Sequence, residues 1–141
     1  MVVIQNLVDN EFTPSKADLI NWAELALANN KGEVTIRIVS VAEMQKINFK
    51  FRGFKTPTNV LSFPFEMPDI SSNEIILGDV IICAQVVNQE AKQTIAHWAH
   101  ITIHGVLHLL GYDHMNKKDA LIMSTKEVKL LAQLGFPNPY S

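Results

Sequence analysis

The sequence predicts an α+β fold, a four-stranded mixed sheet packed with about five helices. Three observations carry that expectation. Four short segments, starting near Val2, Glu33, Asn59 and Glu74, are β-branched, alternating or continuously apolar, as strands are. Segments of helical period lie between and after them. A short polar interval separates the third strand from the fourth, which makes an antiparallel pair of those two. At 141 residues the chain is expected to form one domain, 1–141, with a sizeable core.

Val2 to Val8 is short and β-branched and reads as the first strand. Thr13-Pro14 reads as an N-cap with proline in the first helical position. A helix then runs from Ser15 to Asn30, with Leu19, Trp22, Ala23, Ala26 and Leu27 at helical spacing. Glu33 to Val39 alternates, placing Val34, Ile36 and Ile38 on one face. Ser40 and Glu43 have the spacing of a capping box. The helix they open, Val41 to about Phe51, directs Met44, Ile47 and Phe51 inward and closes at Arg52-Gly53.

Asn59 to Phe65 is expected as a strand with Leu61, Phe63 and Phe65 sharing a face, and Pro64 places it at a sheet edge. Met67 to Asn73 reads as a polar turn. Glu74 to Cys83 is almost continuously apolar, as a central strand is. Gly78-Asp79 interrupts it, and a bulge is the expected reason. Ala84 to Leu110 reads as helix with a break near Thr94. The last helix spans Lys118 to Leu134, with Gly135 as its cap and Pro137 beyond.

Composition narrows the setting. The hydrophobic fraction, 48%, is that of an ordinary globular protein. No apolar run approaches the roughly 20 residues of a membrane span. The N-terminal residues lack the basic flank and cleavage site of a secretory signal. Cys83 is the single cysteine, so no internal disulfide forms, and a cytoplasmic location is expected. The net charge is −2. Between residues 46 and 65, however, Lys46, Lys50, Arg52 and Lys55 face no acidic residue. A positive strip of this kind meets phosphates, or is simply a solvated helix end and loop.

The strongest chemical signal is His104-Gly105-Val106-Leu107-His108-Leu109-Leu110-Gly111-Tyr112-Asp113-His114. Histidines four apart share one helix face, and a helix fixes both rings on one ion. Glycine three residues later ends the helix in a left-handed turn. The chain then folds back and delivers His114. Three protein ligands leave one position open, as in catalytic zinc sites. His97, His100, His104 and His108 all fall within one stripe about 80° wide, so the stripe alone does not select ligands. The glycine turn does, because His100 lies roughly 15 Å back along the axis from that turn. His97 and His100 either support the site from behind or pack beside Trp98. Asp113 either orients an imidazole or caps the turn. Tyr112 and Cys83 read as packing residues. The spacing matches the protease pattern H-E-x-x-H-x-x-G-x-x-H, except that Gly105 stands where the proteases carry their glutamate base.

HGVLHLLGYDH, with FRGFKTPTNVLSFPF and LGDVIIC upstream, closely resembles the YbeY-type endoribonucleases, also called ribosomal RNA maturation factors. The resemblance runs from about Val34 to the C-terminal Asn-Pro-Tyr. It implies a zincin-like arrangement and one zinc ion per chain on His104, His108 and His114. It implies hydrolysis of single-stranded RNA, in small-subunit ribosomal RNA maturation and ribosome quality control, by a zinc-activated water. RNA, as precursor or within the ribosome, is the expected partner, with ribosomal proteins beside it. Arg52 and His114 are the residues on which cleavage is expected to depend. Guanidinium pairs bidentately with phosphate, so Arg52, with Lys46, Lys50 and Lys55, is expected to hold substrate; the other reading of Arg52 is a charge at a helix C-terminus. Phe51 stands where the family has tyrosine. Two rival functions remain: a metallopeptidase using another base, with the edge strand near Leu61 pairing to a peptide, and a non-catalytic ribosome-assembly factor with a structural metal.

Overall fold

Alternation sets the strands, and the strands set the sheet. In the computed structural model, which describes residues 1–65, 75–91 and 94–141, β1 (Val2–Asn6), β2 (Glu33–Val39), β3 (Val60–Pro64) and β4 (Ile76–Cys83) form one sheet in the order β1-β2-β4-β3. β1 and β4 run parallel to β2, and β3 runs antiparallel to β4. Pro64 therefore lies on an edge strand, as expected. The turn expected at Met67 to Asn73, and Glu74, lie outside the described residues.

Five helices pack on this sheet among the described residues: α1 (Lys16–Leu27), α2 (Val41–Arg52), α3 (Ala84–Glu90), α4 (Thr94–Leu109) and α5 (Lys117–Gln133). The two faces of the sheet bury different sets of residues. Val34, Ile36, Ile38, Val80 and Ile82 point to the larger core, shared with α1, α4 and α5. Leu61, Ile81 and Cys83 point the other way, to Met44 of α2. Full burial of each such side chain contributes roughly 1.5–3 kcal/mol. α4 is the central helix of the larger core. Its Trp98 is buried, and the indole N–H donates to Asn88 Oδ1 at 2.7 Å.

Several expected boundaries move, each for a local reason. α1 is capped by Ser15, whose hydroxyl accepts from the Asp18 N–H at 3.1 Å. Thr13 is already engaged, accepting from the Asn6 side chain. The same helix ends at Leu27 because Ala28 turns to φ 52°. β1 stops at Asn6, where the side chain accepts from the Val8 N–H. Phe51 was expected inward but is exposed, as is Phe65; α2 buries Met44 and Asn48 instead. The bulge expected in the fourth strand is present: the β2–β4 register shifts just before Gly78, which adopts φ 143°. Among the described residues no helix is long and apolar enough to cross a membrane.

Candidate metal centre

The C-terminal end of α4 builds the site. Gly111 takes φ 100°, a region that favours glycine. Its N–H donates to His108 O and the Tyr112 N–H donates to Leu107 O, both at 3.1 Å. These two bonds are the Schellman pair that closes a helix and reverses the chain. The reversal brings His114 back to the helix. Ring centroids lie 4.7 Å apart for His104 and His108, 5.0 Å for His108 and His114, and 6.0 Å for His104 and His114. One ring nitrogen from each lies within 4.8 Å of the other two. The geometry brings together the three histidines that the spacing argument names, beside a second group of His100, His104 and Glu127.

Glu127, on α5, organises these rings from behind. It is 1% exposed. His100 Nε2 lies 2.6 Å from one carboxylate oxygen, His104 Nδ1 lies 3.0 Å from the other, and the Tyr140 hydroxyl lies 2.7 Å from the first. Burial pushes this carboxyl's pKa up. The hydrogen bonds from His100, His104 and Tyr140 outweigh burial and hold it at about 2. An ionised carboxylate accepts and never donates. Each partner therefore donates to it, so His104 carries a proton on Nδ1 and has Nε2 as the nitrogen available to a metal. That is the tautomer a metal ligand needs. His100, His104 and Glu127 also converge closely, but their short contacts are hydrogen bonds that leave the carboxylate engaged. Burial, and the same hydrogen bond, push the Tyr140 phenol well above its ordinary range.

His108 is biased toward its neutral form. Burial lowers its pKa, and proximity to His104 and His114 lowers it further. Three imidazoles whose ring nitrogens converge match a borderline ion such as zinc. The donor set fits a metal on chemistry alone.

The remaining expected site residues divide. Arg52 lines a cleft of about 530 Å³ together with His104, His108, His114 and the edge-strand residues Val60 to Ser62. Lys46 and Lys50 on α2 and Lys55 in the loop after it are exposed, and they stand outside the cleft lining. His100 reaches the trio through Glu127. His97 does not; it bonds Glu90 at 2.9 Å, which also accepts from Asn59. Asp113 accepts from the backbone N–H of His114 at 2.7 Å, so it shapes the turn. Glu127 and Tyr140 are the two residues that sequence reasoning missed. The signal was present in Glu127: it shares the buried stripe of α5 with Met123, Leu130 and Leu131, where a charge needs a partner.

Gly105 explains the departure from the protease pattern. α4 crosses the sheet so closely that a Cβ at this position would stand 2.5 Å from Val80 Cγ1. The Ser62 hydroxyl donates to the Gly105 carbonyl at 2.8 Å, fixing the contact. The position faces the sheet, and a glutamate there has no room.

Comparison with known proteins agrees with this architecture. The family model described as Endoribonuclease YbeY matches residues 5–135. The chain is similar to the Endoribonuclease YbeY of Alcanivorax borkumensis, 46% identical over 99% of this chain and 86% of that protein. It is similar to that of Nitrosococcus oceani, 45% identical over 99% of this chain and 95% of that protein. Its fold is similar to the solution structure of a Thermotoga maritima protein, with TM-score 0.63 and 26% identity over 95% of this chain and 89% of that one. The chain belongs to the YbeY endoribonuclease family.

Proposed function

We propose that this member of the YbeY family is a zinc-dependent, single-strand-specific endoribonuclease of the cytoplasm, acting in small-subunit ribosomal RNA maturation and ribosome quality control. One observation carries the reading: three imidazoles converge at a cleft that Arg52 also lines. His104, His108 and His114 would hold the ion. Zinc bound there supplies a Lewis acid and lowers the pKa of a coordinated water to about 7.

The chain's own residues supply the rest. Glu127 fixes the His104 ring and its tautomer. Burial biases His108 toward the neutral form that donates a lone pair. Arg52 brings a permanent positive charge to the cleft, where it pairs with phosphate oxygens and offsets charge that builds on phosphorus. Lys46, Lys50 and Lys55 extend that field along the strand. The edge strand β3 gives the cleft a rigid side.

The peptidase alternative is disfavoured by Gly105, since the site of the protease base is closed by Val80. The test uses one preparation, stripped by chelation and then reloaded with zinc. It is offered single-stranded RNA, duplex RNA and a peptide library. Cleavage of single-stranded RNA that returns with the metal is the expected result. Peptide hydrolysis without RNA cleavage, or no hydrolysis of either, would overturn the reading.

A further inference from the structure

Five of the seven phenylalanines lie between Phe49 and Phe65. Phe51 is 60% exposed and Phe54 54%, and Phe49 and Phe65 are exposed as well. Rings left in water at this density mark a surface with a partner. The same stretch holds Lys50, Arg52 and Lys55 and no acid, with Lys46 just before it. Two of these cations sit on the rings. Lys50 Nζ is 5.4 Å from the Phe51 centroid, and Arg52 Cζ is 5.1 Å from the Phe54 centroid.

The rings are held in place. Phe51 leans on Phe63 of β3, with centroids 5.0 Å apart. The loop that follows α2 and carries Phe54 is pinned by Asn48, 2% exposed, whose side-chain amide donates to Thr56 O at 2.7 Å. Arg52, stacked on Phe54, also lines the histidine cleft. The aromatic surface is therefore continuous with the site. Its occupant has to satisfy exposed π-faces and clustered positive charge together. A single-stranded nucleic acid does so, because its bases stack and its phosphates pair.

We propose that Phe51 and Phe54 are stacking sites for bases of single-stranded RNA on its way into the cleft, with Lys50 and Arg52 meeting the adjoining phosphates. This rests on the reading that the histidine cleft acts on RNA. With these contacts made, both rings still stand more than half exposed, which leaves ring surface for a base. Bases stacked inside a duplex cannot reach these rings, so the platform selects unpaired strands.

The test is binding by fluorescence anisotropy, with two labelled probes of ten nucleotides. One is a 2′-O-methyl uridine strand. The other has the same phosphates but an abasic sugar at every position. Phe51→Leu and Phe54→Leu keep apolar bulk and remove the π-face. Each is expected to weaken the uridine strand about tenfold and leave the abasic strand unchanged. Phe54→Trp is expected to restore tight binding. The salt dependence should not change in the leucine variants, whereas Lys50→Gln should reduce its slope by about one on both probes. Leucine variants that bind the uridine strand as the wild type does would overturn the proposal and leave the rings to a protein partner. A wild-type protein that binds neither probe would instead remove the RNA reading beneath it.

Discussion

On one wall of the cleft, His104 is fixed through Nδ1 by a carboxylate that is 1% exposed, and the ring behind it, His100, is fixed by the same group. On another wall, Arg52 stands in solvent with its guanidinium on an exposed ring. The contrast matches what each wall is proposed to bind. A metal ion tolerates ligand errors of only a few tenths of an ångström, and of the three expected ligands His104 and His108 sit on a rigid helix, with His104 locked by a buried hydrogen bond. A polymer arrives in many conformations, so long exposed side chains with spare rotamers serve it better.

That contrast predicts two classes of variant. The largest effect is expected from His114→Ala, which should lose the metal and RNA cleavage together. Metal content by elemental analysis, read beside a cleavage assay, checks it; full zinc occupancy in this variant would dissolve the trio. Next, Arg52→Glu should keep a full complement of metal while cleavage falls by at least about a hundredfold, as when a charge-stabilising donor is lost. Unimpaired cleavage would remove Arg52 from the chemistry, and lost metal would erase the division between the walls.

Glu127→Gln should be intermediate. Glutamine keeps the shape but cannot accept from three donors as a carboxylate does. Zinc affinity is expected to drop roughly 10–100-fold, measured by competition with a chelating dye, with little change in the fold. An unchanged affinity would mean that the helix alone sets His104. The smallest effect is expected from Asn48→Ala, which frees the loop after α2. One lost hydrogen bond costs about 1 kcal/mol, read as a melting temperature lowered by a few degrees. RNA affinity should weaken slightly and metal affinity not at all.

The same contrast governs what could be read without coordinates. The trio was legible because His104, His108, Gly111 and His114 obey helical spacing and one turn rule, both local in the chain. The edge position of β3 was legible because Pro64 cannot donate to a ladder. Glu127 was not recognised, since its partners sit 27 and 23 residues away and at the far C-terminal end. Only packing of α5 on α4 unites them. Phe51 misled for the opposite reason: helical period puts it on the inward face of α2, but the ring is exposed and leans on Phe63 at the edge strand. Thr13 misled as a cap because Asn6 had already claimed its hydroxyl.

The close seating of α4 on β4 also bears on how such proteins diversify. With Val80 against the Gly105 backbone, any single codon change there pushes two layers apart before it adds a functional group. A glutamate at position 105 would need room made first, by a smaller residue in place of Val80 or by a shift of α4. Two coordinated changes are therefore needed where the protease pattern asks for one.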